Sequence, residues 1–186
     1  MFTVSDHFIP STVRTLAMLR PTLRWACCPW MVTKLVAAGV KFGVIDVFNP
    51  GQSAWYRGIG TVRPEEIPHN VQNCCWTVET DAGETALYAT DCGSLEKISA
   101  VGYDLYLVEE NHTRAELEAR AAEKQAAGEF AYEFTAAANH LSREQAIDWL
   151  VQNMGPTSVW VPMHGHKNRE RRENNERNDA SGSCNI

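Results

Sequence analysis

Imidazoles and carboxylates recur along this chain at the ends of apolar runs. Asp6 and His7 stand side by side in "SDHF", and His69 follows a proline in "PHNVQNCCW". Asp91 closes the run in "LYATDCG", Glu109 and Glu110 end "YDLYLVEE", and His164 ends "VWVPMH". His140 precedes a helix-like stretch in "NHLSREQA". Gathered in one place, such side chains either move protons or hold a cation. Imidazole and carboxylate are borderline-to-hard ligands suited to Zn²⁺, Mn²⁺ or iron. One histidine alone reads as an ordinary surface or core residue. Several at the ends of strands favour a shared site, because ligands gather outside the strand ends of open α/β sheets.

The elements that must position these groups are legible in outline. Ser11 or Thr12 starts a helix to about Arg20, with Val13, Leu16, Ala17 and Leu19 mostly on one face and Pro21 stopping it. Residues 23–28 read as a strand, 29–39 as a helix between Pro29 and Gly39, and 41–48 as a second strand. This α-β-α-β order favours a layered α/β fold. Residues 49–60, "NPGQSAWYRGIG", read as a loop with two aromatics, a lid or a strand edge. Residues 74–80 and 84–91 form a predicted hairpin around "DAG", and 103–110 a further strand. A helix is expected over 114–128 and another over 142–155, the latter opened by a Ser142/Gln145 capping box. Residues 157–164 make the last strand. Residues 1–166 read as a single domain and 167–186 as a disordered polar tail.

Composition bounds the rest. A chain of 186 residues with 44% hydrophobic and 22% charged content suits one globular domain. The formal charge of −6 argues against a general nucleic-acid-binding surface. No apolar run is long enough to span a membrane, and no basic segment leads into an apolar one at the start; a cytoplasmic protein is expected. Cys27, Cys28, Cys74, Cys75, Cys92 and Cys184 include two adjacent pairs but no C-x-x-C, so buried thiols are expected instead of a zinc knuckle or redox motif.

Six blocks in order, "SDHF", "PHNVQNCCW", "LYATDCG", "YDLYLVEENH", "NHLSREQA" and "VWVPMHGH", resemble the metallo-β-lactamase-fold hydrolases over residues 1 to about 167. The branch they resemble includes tRNase Z-like and small phosphodiesterase-like members. The resemblance implies an α/β fold, the αββα layered sandwich, here lacking the N-terminal strands. The family's metal motif is H-x-H-x-D-H. Asp6 and His7 match its D-H, while Phe2 and Val4 fall where the two leading histidines belong.

Carried over block by block, the resemblance makes Asp6, His7, His69, Asp91 and His164 metal ligands, with Asp91 bridging two ions. It makes His140 a proton donor to the leaving group, so that Asp6 and His140 are the catalytic candidates, and Glu109 a carboxylate that orients a histidine. His112 and His166 have no counterpart and read as solvent-exposed. The family holds two ions, Zn²⁺ or Mn²⁺; without the two leading histidines, one site keeps only His69 and Asp91, below the three protein ligands usual for catalytic zinc. The implied function is a hydrolase that uses metal-bound hydroxide on a phosphodiester or related ester bond of a small-molecule or nucleotide substrate. The alternative is a weak or inactive relative serving as a metal- or nucleotide-binding or regulatory subunit. Missing strands predict an open sheet edge and uncovered core, hence truncation or degeneration and a tendency to homo-oligomerise.

Overall fold

A computed structural model of the protein describes residues 8–129 and 138–164. The chain begins with helix α1 (Pro10–Leu19), strand β1 (Trp25–Cys27) and helix α2 (Pro29–Ala37). A 3₁₀ turn (Phe42–Val44) leads into β2 (Ile45–Val47). Strands β3 (Ala54–Tyr56), β4 (Gly60–Ile67), β5 (Asn73–Glu79) and β6 (Thr85–Ala89) follow as a meander. Then come β7 (Leu105–Glu109), α3 (Arg114–Ala126), α4 (Arg143–Asn153) and β8 (Val159–Met163). Strands β3 to β8 form one six-stranded sheet in sequence order. Pairing is antiparallel from β3 to β6 and parallel across β6, β7 and β8. Strands β1 and β2 pair in parallel as a separate two-stranded sheet.

Strand alternation sorts the side chains into three cores, and the cores define four layers. Trp25 and Cys27 point toward α1 and α2, joining Val13, Met31 and Leu35. Ala26 and Cys28, with Phe48, point the other way and meet Val62, Cys74 and Trp76 of the large sheet. On that sheet's far face Cys75, Leu87, Ala89, Tyr106 and Val108 pack with Leu141, Ala146 and Leu150, so α4 forms the outer layer. The result is helix, sheet, sheet, helix. The five cysteines among the described residues are all buried and reduced, divided among the three cores as the pairs' alternation requires. Cys28 and Cys74 bring their sulfurs to 3.6 Å across the inter-sheet layer.

The two-stranded sheet is too narrow to cover its partner. Val159 and Val161 of β8 remain 55% and 40% exposed on the face away from α4. No helix among the described residues is long and apolar enough to cross a membrane.

Of the two alternatives for residues 49–60, the strand edge holds: the segment contains β3, the edge strand, and is tied to the β5–β6 turn through Trp55 Nε1 donating to Asp81 Oδ1 at 2.7 Å. Strand β4 was not expected at all, because Pro64, Glu65 and Glu66 interrupt its apolar pattern. The sheet tolerates Pro64 because its carbonyl accepts from Gly51, on the side β3 does not reach, so the missing N–H interrupts no ladder. His112, expected at the surface, is buried, its backbone bridging to Ser142.

Candidate metal centre

Parallel pairing brings three strand exits to one end of the large sheet. The ladder aligns Ala89 with Val108 and Glu109 with Met163. Asp91, Glu109 and His164 therefore emerge at nearly the same level. Antiparallel pairing of Ile67 with Asn73 places the β4–β5 loop, and His69 with it, at that end too. His140 arrives from the segment before α4, whose start is fixed by the expected capping box: Ser142 Oγ accepts from the Gln145 amide and the Gln145 side chain accepts from the Ser142 amide.

Asp91, Glu109, His140 and His164 each offer a ligating atom, and these atoms all lie within 4.8 Å of one another. Glu109, fully buried, is the hub. Its Oε1 lies 2.5 Å from His140 Nδ1 and 3.2 Å from His164 Nδ1, while Oε2 accepts the Cys92 amide at 2.9 Å. Asp91 Oδ1 lies 3.1 Å from His164 Nδ1 and 3.8 Å from His140 Nδ1. Burial opposes the charge on Glu109, but hydrogen bonds from His140, His164 and the Cys92 amide hold its carboxyl down at about 2. The same carboxylates act on His164: hydrogen bonds to Asp91 and then Glu109 raise its imidazole to about 10, against the opposing effect of burial. Asp91 and His164 both have left-handed backbones, with φ of 55° and 58°. Neither is glycine, and such conformations persist only where the surroundings impose them.

His69 adjoins this cluster without being one of the four. Its ring centroid is 5.2 Å from that of His140, and its Nδ1 lies 3.0 Å from the Asn139 carbonyl. With Nδ1–H donated there, Nε2 carries the lone pair. Asp6, His7 and His166 lie outside the described residues, as does the 167–186 tail.

The donor set fits a divalent cation. Two carboxylates and two imidazoles match the ligand chemistry of Zn²⁺ or Mn²⁺. Asn73 was missed in the sequence. Fully buried at the start of β5, it donates to the carbonyls of Thr90 and Asp91.

No protein-family model matches the chain, and no curated protein matches it. Solved structures do. The metallo-beta-lactamase fold protein YhfI from Bacillus subtilis superposes with a TM-score of 0.64 at 15% identity, covering 94% of this chain and 67% of that one. The chain has the metallo-β-lactamase fold. Human tRNase Z, short form (ELAC1), shares this fold at TM-score 0.53 and 13% identity, with 90% and 71% coverage. Zn²⁺-bound PqqB from Methylobacterium extorquens shares it at 0.52 and 12%, with 87% and 64% coverage. The chain thus spans about two thirds of the length of these metallo-β-lactamase-fold proteins.

Proposed function

We propose that this protein is a metal-dependent hydrolase acting on a phosphodiester or related ester bond of a small-molecule or nucleotide substrate. The observation that carries this reading is the gathering of Asp91, Glu109, His140 and His164 at the exits of three parallel strands. The likeness to tRNase Z and to Zn²⁺-bound PqqB supports the same reading.

Asp91 and His164 would hold the ion, with Asp6 and His7 as further ligands by sequence, while His69 and Asp91 alone would be left for a second one. A bound Zn²⁺ or Mn²⁺ supplies Lewis acidity, bringing the pKa of water to about 7 and offsetting negative charge on the reacting group. Glu109 accepts from His140 Nδ1, which leaves Nε2 to deliver a proton to the leaving oxygen. The buried Glu109 carboxylate orients the His140 ring for that transfer. One ion per chain is the expected complement, since Phe2 and Val4 stand where two further histidines would be. A formal charge of −6 favours small substrates over bulk nucleic acid, and a cytoplasmic setting is part of the same proposal. The exposed valines of β8 favour self-association.

Phe2 and Val4 also favour a second reading, a relative that binds the ion but turns over slowly or not at all. Turnover of a generic phosphodiester dye with Zn²⁺ or Mn²⁺ separates the two. The hydrolase reading expects turnover that Asp91→Ala abolishes. Metal binding with no turnover selects the second reading, and turnover that survives Asp91→Ala contradicts the first.

A further inference from the structure

We infer that Asn73 is a positioning residue: its side-chain amide fixes the left-handed backbone of Asp91 and so aims that carboxylate into the cluster. The inference rests on the reading of Asp91 as a metal ligand. The β5–β6 ladder ends at Trp76 and Tyr88, and the β6–β7 ladder at Ala89 and Val108. Thr90 and Asp91 follow the ends of both ladders, and Asn73 donates to the carbonyls of both. Its Nδ2 donates to the Thr90 carbonyl at 2.9 Å and to the Asp91 carbonyl at 2.6 Å, and its Oδ1 accepts the Cys74 amide at 2.8 Å.

The site needs two donors and one acceptor on a short stem. Aspartate has no donor, serine is too short to span both carbonyls, and glutamine is a methylene too long for a fully buried position. The Cys74 amide can only donate, which sets the orientation of the Asn73 side chain. On the other flank Glu109 Oε2 takes the Cys92 amide. The turn is therefore held before and after the Asp91 side chain, by Asn73 through two carbonyls and by Glu109 through one amide. With Asn73 gone, Asp91 relaxes from φ of 55° to an ordinary conformation, and its carboxylate swings away from His164.

The test is Zn²⁺ affinity by calorimetry, with Co²⁺ absorption spectra as a second readout, on wild type, Asn73→Ser, Asn73→Asp and Asp91→Ala, and on each Asn73 variant combined with Asp91→Ala. Circular dichroism and urea unfolding of the metal-free proteins check folding. Expected are folded Asn73 variants with Zn²⁺ affinity lowered about 10- to 100-fold, as for outer hydrogen-bond partners of metal ligands. Their Co²⁺ spectra shift, and no further loss appears in the Asp91→Ala background. Variants that bind Zn²⁺ as wild type does overturn the inference while leaving the metal reading intact. So does a loss that simply adds to that of Asp91→Ala. Failure of both variants to fold makes Asn73 a structural residue and overturns it as well. A wild-type protein that binds no Zn²⁺ removes the metal reading and this inference together.

Discussion

Replacing Glu109 with glutamine in the metal-free protein isolates the charge at the centre of the cluster. The side chain is fully buried, so its shape is kept and solvent cannot compensate. A carboxyl held at about 2 instead of its ordinary 4.5 marks roughly 3 kcal/mol of interaction favouring the charged form. That energy is shared with the His164 imidazolium and is counted once. Glutamine also cannot accept from both the Cys92 amide and two imidazoles, because one of its ends is a donor. Urea unfolding at pH 7 with a chelator present should therefore show Glu109→Gln less stable by about 2–4 kcal/mol.

The pH profile supplies an independent sign. The Glu109 contribution is present above 4.5 and is lost as pH falls toward about 2. The His164 contribution is present below 6.5 and is lost as pH rises toward about 10. The His164 ring is 34% exposed, so solvent screening reduces the alkaline limb. Wild type should plateau between pH 4.5 and 6.5 and weaken on both sides. Glu109→Gln should flatten the acid limb and bring the end of the alkaline limb to lower pH. A change below about 0.5 kcal/mol with both limbs intact would refute the reasoning.

Trp76→Ala empties the centre of the inter-sheet core, where the fully buried indole meets Phe48 edge-on at 5.6 Å. A loss of about 3–5 kcal/mol in urea unfolding is expected, with Zn²⁺ affinity changed less than threefold. Gly93→Ala acts beside the cluster, because a Cβ there would collide with the Ala138 carbonyl oxygen. Displacing that segment moves His140, the proton donor, so turnover of the phosphodiester dye should fall at least tenfold, whereas unchanged turnover would mean that the segment yields without moving the histidine.

Layering was legible from the helix-strand-helix-strand order of the first 48 residues, and the structure then divides their side chains, with Trp25, Cys27 and Met31 on one side and Ala26 and Cys28 on the other. Capping chemistry fixed the start of α4 at Ser142, and the apolar runs of β7 and β8 announced the strand ends where Glu109 and His164 sit. Strand β4 was not legible, because a proline and two glutamates are tolerated where only the neighbouring strands decide which groups need partners. Asp91, Glu109, His140 and His164 could be named from block order, but their convergence depends on parallel register, which no local pattern encodes. Asn73 left no local signal: a polar residue before "CCW" reads as a strand start, and its role exists only once Thr90 and Asp91 lie against it.

The central claim is that Asp91 and His164, gathered with Glu109 and His140, hold a divalent cation, and elemental analysis after Zn²⁺ loading and desalting tests it most directly. About one Zn²⁺ per chain is expected in wild type, falling to near zero in Asp91→Ala and His164→Ala variants that remain folded. No retained Zn²⁺ in wild type, or Zn²⁺ retained undiminished in both variants, contradicts it.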